Sequence, residues 1–266
     1  MARTSVHDRI LRLLSAPPAE PDLSAGYLDL LGPGAAPAPT VAQRVMRSTF
    51  LPQIYERLWR PVGFNLAKGW PFGPGTAAEQ ALARDWLGLG RPGDARRPAA
   101  TVLDVACGPG NVTRALAAGV AGDGLVVGLD AAPAMLDRAV ADTADTAGAT
   151  GGGAIGYVRG DAVELPFGDA TFDAVCCFGA LYLFDEPWTA LESMLRVLRP
   201  GGRIVILTSR RPVLPVGRLG AEAFGRVAGL TVFGDREVTG FLREHGLTDV
   251  RQRRFPLMQL AGARRP

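Results

Sequence analysis

The spacing of hydrophobic and polar positions changes near residue 100 of the chain. From there, short apolar runs alternate with stretches in which apolar residues recur at helical spacing. The apolar runs predict strands at 101–106, 125–129, 154–158, 172–178 and 202–208. The stretches between them predict helices at 111–119, 133–147 and 187–198. Strands that alternate with helices of about 10–15 residues are typical of β–α–β units around a parallel sheet. We therefore expect an α/β domain over residues 99–266.

The chain on either side of this alternating region is less regular. A loose stretch at 209–234 precedes a predicted helix at 235–245 and two predicted strands near 248–254 and 257–262. Before the domain, the sequence predicts a short helix at 5–14 in an Ala-, Pro- and Gly-rich segment, and helices at 41–60 and 76–88, with Thr76 as an N-cap. We expect an irregular arm at 1–40, a helical cap at 41–98, and an insertion or lid at 209–234.

The first strand of the domain runs into a glycine turn in "TVLDVACGPGNVTRAL" (101–116). In an open parallel sheet, ligands bind beyond the carboxyl ends of the strands, and glycines let a ligand approach the main chain. A dinucleotide fingerprint would need a third glycine where Thr113 stands, and a Walker loop would need a lysine in the turn. Asp130, at the end of "LVVGLD", can accept hydrogen bonds from both ribose hydroxyls. By itself the turn does not distinguish a ligand site from an ordinary strand-to-helix connection, and the motifs that follow it decide between the two.

Three further motifs follow the glycine turn in order. They are "YVRGDAVELPFGDATFDAV", "CCFGALYLFDEP" and "LRVLRPGGRIVI". With these motifs, residues 101–208 resemble the class I S-adenosylmethionine-dependent methyltransferases of the methyltransferase type 11 group, which includes the ubiquinone and menaquinone C-methyltransferases. The resemblance implies a Rossmann-like, doubly wound fold. Its mostly parallel sheet would have seven strands with an antiparallel last strand, and its cofactor would be S-adenosyl-L-methionine.

The resemblance implies a set of residues for the methionine end of the cofactor. Asp104 would hold this end through its amino group and water. Ala106, Gly108 and Gly110 would let the backbone pass close to it, although the family often has glycine where Ala106 stands. Phe178 would offer its backbone carbonyl to the amino group.

A second set of residues is implied for the adenosine end. Asp130 would take the ribose hydroxyls, and Ala131 and Met135 would pack near the adenine. Asp161 would accept a hydrogen bond from the exocyclic amine, and Ala162 would offer a backbone N–H to the ring.

The acceptor side is less defined by the sequence. Tyr182 in "GALYLFDEP" is the best polar candidate for a catalytic role, although a wall position fits it equally, and we assign no general base. Tyr55 and Trp59 belong to an aromatic-rich cap, and with Tyr182 they are the candidate acceptor contacts. Their composition indicates a small, hydrophobic or aromatic acceptor in an apolar pocket.

Charge and cysteine usage limit the alternatives. The net charge of +3 is thinly spread, without the basic stripe and interleaved aromatics of a nucleic-acid binder. "GYLDLL" (26–31) echoes the rRNA guanine methyltransferases, but their zinc-binding cysteine cluster is absent because no cysteine precedes Cys107. RNA base methylation is therefore the second interpretation, and we expect no nucleic-acid partner. A cofactor-binding fold that acts as a cyclase or regulatory module is the third, and a nicotinamide dehydrogenase the fourth.

The remaining expectations concern metal binding, the cellular compartment, membrane spans and oligomeric state. The three cysteines have neither metal-ligand spacing nor the number for a disulfide framework, so we expect no metal site and a reducing, cytoplasmic setting. No long apolar segment suggests a signal peptide, and no uninterrupted run of about 18 apolar residues suggests a membrane span. The sequence gives no indication of oligomeric state.

Overall fold

A computed structural model describes residues 5–32, 67, 69, 75–144, 152–212 and 229–266. The predicted helix at 41–60, with Tyr55 and Trp59, lies outside the described residues. So do the end of the predicted helix at 133–147 and most of the expected insertion.

The central element of the described chain is an eight-stranded sheet in the order β1-β4-β3-β2-β5-β6-β8-β7. All pairings are parallel except those of β8, which runs antiparallel to β6 and β7. The α/β fold and the antiparallel last strand are thereby confirmed. The strands are β1 (Leu28–Asp29), β2 (Thr101–Val105), β3 (Leu125–Asp130), β4 (Ala154–Arg159), β5 (Phe172–Phe178), β6 (Leu198–Ser209), β7 (Thr248–Arg254) and β8 (Met258–Arg264).

Strand β1 explains why the sheet has eight strands where seven were expected. It pairs in parallel with the outer edge of β4, with Leu28 opposite Val158 and Asp29 opposite Arg159. Leu28 is buried in the main hydrophobic core. A two-residue strand has no periodicity that the sequence could display, so this segment was expected to be irregular. The part of the arm up to residue 32 is instead built into the domain.

Helices cover both faces of the sheet. They are α1 (Val6–Leu11), α2 (Thr76–Leu87), α3 (Asn111–Ala117), α4 (Pro133–Ala144), α5 (Pro187–Val197) and α6 (Glu237–Glu244), with a 3-10 helix at Leu181–Leu183. Residues of α1, α5 and α6 join one core cluster with the sheet, whereas α2 and α3 join a second cluster on the other face and α4 packs beside them. Layers of helices on both faces define the doubly wound arrangement.

Helix α2 is the described part of the expected cap. Ala83 and Leu87 are buried, and the helix packs against β6 and α3. Gly75 is the N-cap, so the prediction that Thr76 holds this position was wrong, whereas the left-handed Gly88 ends the helix as expected. This stretch therefore belongs to the helical layer on the sheet.

The strand order determines where in the sheet the ligand crevice lies. From β2 the chain proceeds outward through β3 and β4, and then returns to the other side of β2 with β5. The connections leave β2 and β5 in opposite directions, so a crevice opens at their carboxyl ends. The glycine turn follows β2 directly at this place.

Candidate functional site

The glycine turn has an unusual backbone. Ala106, Gly108 and Gly110 have φ values of 54°, 54° and 75°. Positive φ costs a residue with a side chain, so the left-handed Ala106 marks local strain of the kind that clusters at functional sites. The Cys107 N–H donates to the Leu129 carbonyl at 3.0 Å, which fixes the turn beside the end of β3.

Gly110 is the N-cap of α3, and its neighbourhood has no room for a side chain. A Cβ atom there would lie 2.4 Å from the Tyr157 hydroxyl oxygen. The Tyr157 hydroxyl also shares a hydrogen bond of 2.7 Å with Thr143 of α4. The Tyr157 side chain therefore packs against Gly110 of the turn. The sequence did not reveal this role, because Tyr157 stands in an ordinary apolar strand.

Asp104 lies beneath the turn and is 1% exposed. Its Oδ2 accepts a hydrogen bond from the Thr113 hydroxyl at 2.7 Å, and its Oδ1 accepts one from the Cys176 thiol at 3.4 Å. Buried carboxylates need such donors because desolvation otherwise disfavours the charged form. Thr113 and Cys176 thus orient Asp104, and the sequence analysis missed both roles.

Asp130 joins the glycine turn to the turn after β3. Its Oδ2 accepts from the Gly108 N–H at 2.8 Å, and its Oδ1 accepts from the Ala132 N–H at 2.9 Å. These two hydrogen bonds hold the carboxylate at the carboxyl end of β3, beside the glycine turn. The structure therefore brings Asp130, Gly108 and the end of β2 together, as the sequence predicted.

The remaining residues expected at the adenosine end follow β3 and β4. Met135 is buried in the first turn of α4, and Ala131 is half-buried. Asp161 is exposed just beyond β4, and its Oδ1 accepts from the Val163 N–H at 2.8 Å in a local turn. Ala162 packs against the main core. These positions all lie at the edge formed by the carboxyl ends of β3 and β4.

Phe178 and Tyr182 lie on the β5 side of the crevice. Phe178 ends β5 opposite Leu207 of β6 and is buried. Tyr182 is half-buried in the 3-10 helix that follows, and its carbonyl accepts from the Thr231 N–H at 2.9 Å. The Ser209 hydroxyl donates to the Thr231 carbonyl at 2.7 Å. The segment around Thr231 is therefore fastened beside Tyr182.

Part of the stretch expected to form the cap lies against the turn between β7 and β8. The Leu257 N–H, in the turn between β7 and β8, donates to the Ala67 carbonyl at 2.9 Å. Leu257 itself is exposed. The contact places Ala67 at the edge where β5 and β6 end.

The three buried thiols (Cys107, Cys176 and Cys177) lie on or between these strands. Burial raises the pKa of each of them, and for Cys107 and Cys176 the nearby acidic groups raise it further. The thiols are therefore protonated at neutral pH, which lets Cys176 donate to Asp104. Within the part of the chain that the structure describes, no group of three or more His, Cys, Asp or Glu residues could hold a metal ion. Among the same residues, no helix has the length and apolar character to cross a bilayer.

Comparison with known proteins agrees with this geometry. Residues 103–206 match the family model described as "Methyltransferase domain". The chain is 40% identical over 114 residues to the demethylmenaquinone methyltransferase of Staphylococcus aureus, covering 43% of this chain and 45% of that protein. It is 38% identical over 138 residues to the 2-phytyl-1,4-naphtoquinone methyltransferase of Synechococcus elongatus, covering 52% and 58%. The chain thus spans about half the length of these curated relatives.

Solved structures with the same fold extend the similarity beyond the matched residues. A SAM-dependent methyltransferase from Aquifex aeolicus has a TM-score of 0.55 at 20% identity, over 81% of this chain and 98% of that one. The [4+2]-cyclase SpnF has a TM-score of 0.57 at 19% identity, over 86% and 98%. At these identities the likeness concerns the fold alone. The family match over residues 103–206 and the two relatives therefore show a methyltransferase domain in this chain, and the solved structures show that its fold is the one found in S-adenosylmethionine-dependent methyltransferases.

Proposed function

We propose that the protein transfers the methyl group of S-adenosylmethionine to carbon or oxygen of a small, hydrophobic or aromatic acceptor. One observation carries the proposal. Asp130 is fixed through both carboxylate oxygens at the end of β3, beside a strained glycine turn. A carboxylate at the end of this strand is the group that accepts hydrogen bonds from ribose hydroxyls in nucleotide-binding sheets, and glycines beside it let a ligand approach the main chain.

The residues present fit the two ends of this cofactor. At the adenosine end, Asp130 would accept from the ribose and the buried Met135 would offer an apolar surface to the ring. At the other end, Asp104 is held by Thr113 and Cys176 beneath the turn, where it would attract the amino group. The full proposed set is Asp104, Ala106, Gly108, Gly110, Asp130, Ala131, Met135, Asp161, Ala162 and Phe178.

The chain's contribution to the reaction would be positioning. The bound cofactor supplies a methyl group on a sulfonium sulfur, which is already activated for in-line displacement. The two sides of the crevice would hold the reactants in line and exclude water, and such alignment can offset about 7–11 kcal/mol of barrier. We assign no general base. Tyr182, fastened beside Thr231, is the candidate for orienting an acceptor group.

The acceptor class rests on the relatives and on the surrounding segments. Two matched relatives are named for a demethylmenaquinone and a phytyl-naphthoquinone substrate. We propose that a quinone-like acceptor enters between Tyr182 and the cap that carries Tyr55 and Trp59. Residues 209–234, an insertion within the proposed α/β domain over 99–266, would form a second wall of the acceptor pocket. The protonated, unpaired cysteines suit the cytoplasm.

The cofactor assignment is tested by calorimetry with S-adenosylmethionine. Asp130→Ala and Asp161→Ala should each weaken binding, because a lost hydrogen bond to a buried partner costs about 1–3 kcal/mol. Asp169→Ala is the control, because the Asp169 side chain is exposed and its Oδ1 pairs with Arg196 Nη1 at 2.8 Å. Wild-type affinity in both test variants would remove the assignment.

The acceptor is tested with methyl-labelled cofactor. Candidates are a prenylated naphthoquinol, simple phenols and an unmodified RNA transcript, with mass spectrometry and NMR to distinguish carbon from oxygen methylation. Label in the naphthoquinol or the phenols supports the proposal. Label in RNA alone, weakened by salt, would overturn it in favour of base methylation.

A non-methylating role is the other candidate, favoured by the similarity to the fold of SpnF, which is named a cyclase. A protein that binds S-adenosylmethionine by calorimetry but labels none of the acceptors would support it. The proposed methyl transfer would then be wrong, while the cofactor assignment would stand.

A further inference from the structure

Arg159 is a buried charge at the end of β4, 7% exposed. Its Nη1 donates to Asp29 Oδ2 at 2.8 Å and to the Gly32 carbonyl at 3.0 Å, and its Nε donates to the Ala131 carbonyl at 3.3 Å. Removing a guanidinium from water is costly unless the geometry of its partners is good. Here one side chain binds two segments that are far apart in the sequence.

Asp29 is itself held in place. Its Oδ1 accepts from the Leu31 N–H at 2.9 Å and the Gly32 N–H at 3.0 Å. Burial raises the pKa of Asp29, but the hydrogen bonds from Arg159, Gly32 and Leu31 outweigh burial and hold the pKa below its ordinary value. Asp29 is therefore ionised at neutral pH, and it presents a fixed negative charge to Arg159.

Arg159 stands between the two turns that the adenosine would contact. It pairs with Asp130 in the register of β3 and β4. The carbonyl that its Nε binds belongs to Ala131, the residue after Asp130. In the other direction, Gly160 separates Arg159 from Asp161. The guanidinium therefore contacts the turn after β3 through the Ala131 carbonyl, and the Arg159 backbone leads into the turn that carries Asp161.

We propose that Arg159, held by Asp29, is a positioning residue for the adenosine end of the cofactor. By fixing the Ala131 carbonyl it sets the turn that presents Asp130 to the ribose. The inference rests on the proposed placement of the adenosine at Asp130. It concerns two side chains, Arg159 and Asp29, that this placement does not itself use.

The proposal also explains the segment "GYLDLL". Tyr27 is buried against Leu136 and Ala139 of α4, and Leu28 enters the main core. Asp29 reaches Arg159 across the first parallel pairing of the sheet. The segment that resembles part of the rRNA methyltransferases thus packs into the scaffold beside the proposed cofactor site.

The test uses Asp29→Asn and Arg159→Lys in the full chain. Asn keeps the shape of Asp29 without its charge. Lys keeps the charge of Arg159 but lacks the planar guanidinium, whose separate nitrogens donate to different acceptors. We expect each variant to bind S-adenosylhomocysteine about tenfold more weakly, as measured by calorimetry, because each loses a hydrogen bond between charged groups. The double variant should lose less than the product of the two single losses, because both remove the same interaction.

A second probe shows which end of the cofactor the variants affect. 5′-Methylthioadenosine has the adenosine but lacks the amino-acid tail. If Arg159 positions the adenosine end, both probes lose affinity by the same factor. A loss confined to S-adenosylhomocysteine would place the effect at the methionine end and overturn the proposal.

Asp173→Asn is the matched control. The Asp173 carboxylate is 17% exposed, like that of Asp29, and it pairs with an arginine, Arg199. It also accepts a hydrogen bond from the Thr101 N–H at 2.7 Å, at the amino ends of β2 and β5 and therefore at the opposite ends of these strands from the crevice. We expect this variant to lower the urea midpoint and to leave both affinities unchanged. An equal loss of affinity in Asp173→Asn and Asp29→Asn would contradict a positioning role.

Asp130→Ala distinguishes this inference from the proposal on which it rests. Weak binding by Asp130→Ala with wild-type binding by folded Asp29→Asn and Arg159→Lys would overturn the positioning role alone. Wild-type binding by Asp130→Ala would instead remove the placement of the adenosine. If Arg159→Lys fails to fold, Asp29→Asn decides the question, because it changes one charge on a half-buried side chain.

Discussion

Replacing Gly110 by alanine tests the packing beneath the glycine turn. Gly110 has a φ of 75°, and the left-handed conformation costs an L-residue about 1–2 kcal/mol. The new Cβ would also lie 2.4 Å from the Tyr157 hydroxyl oxygen. Forcing an extra methyl group into a packed site typically costs about 1–3 kcal/mol. We therefore expect Gly110→Ala to lower the free energy of unfolding by about 2–5 kcal/mol, the sum of these two costs, and to weaken the binding of S-adenosylmethionine.

Tyr157→Phe separates the two contributions. It removes the hydroxyl oxygen that the new methyl group would meet, and the ring carbon behind it, Cζ, lies 3.1 Å from the same position. On its own, Tyr157→Phe loses the hydrogen bond to Thr143 and should cost about 1 kcal/mol. In the Tyr157→Phe background, Gly110→Ala should cost little more than the backbone contribution, about 1–2 kcal/mol.

Urea unfolding of the four proteins measures this difference. The midpoint and the slope give each free energy of unfolding, and the slope shows whether the transition stays two-state. We expect a coupling energy of about 1–3 kcal/mol between positions 110 and 157. An equal cost of Gly110→Ala in both backgrounds would refute the steric part of the reasoning, and no cost in either would refute both parts.

Further predictions concern other parts of the domain. The three buried thiols should react with a thiol reagent at pH 8 only when urea unfolds the protein, since burial raises the pKa of each, and rapid labelling of the folded protein would contradict this. The hydrogen bond from Arg210 lowers the pKa of Asp235, so its ionised form stabilises the fold above the ordinary carboxyl pKa of about 4 and this stabilisation is lost as the pH falls through the lower native pKa. The difference in urea midpoint between wild type and Asp235→Asn should therefore shrink below about pH 4, and a difference that persists there would be evidence against this explanation. Phe167 is fully buried edge-to-face on Phe172, so Phe167→Ala should cost about 3–5 kcal/mol in urea unfolding, and Phe167→Leu distinctly less. Equal costs for the two variants would show that the ring is not what packs there.

The sequence predicted those elements whose patterns are long enough to read. Strands β2 to β6 and helices α3 and α5 each bury a continuous apolar face, and their bounds agree with the spacing within a few residues, while α4 begins at Pro133 as predicted. The location of Asp104 and Asp130 beside the glycine turn could be predicted because each ends or nearly ends an apolar strand beside glycines. Each of these two predictions used only residues within one short stretch of the sequence.

The missed features depend on contacts between distant residues. Asp29 and Arg159 are separated by 130 positions, and an arginine at a strand end is usually a solvated charge. Thr113 was informative only as a departure from the dinucleotide fingerprint, since nothing in its sequence neighbours shows that its hydroxyl would face Asp104. The two-residue strand β1 forms because β4 offers it an edge, so only the assembled sheet reveals it.

The first helix and strand have a practical consequence for where the chain can be cut. Ile10 is fully buried against β4, at a point where a Cβ on Gly156 would lie 2.5 Å from its Cδ1. A fragment trimmed to the family match at 103–206 would lose this cover and leave the outermost parallel strand with bare N–H and C=O groups. Such an edge invites pairing between copies. A shortened version that precipitates would therefore say nothing against the catalytic assignment, because its N-terminal cover would be missing.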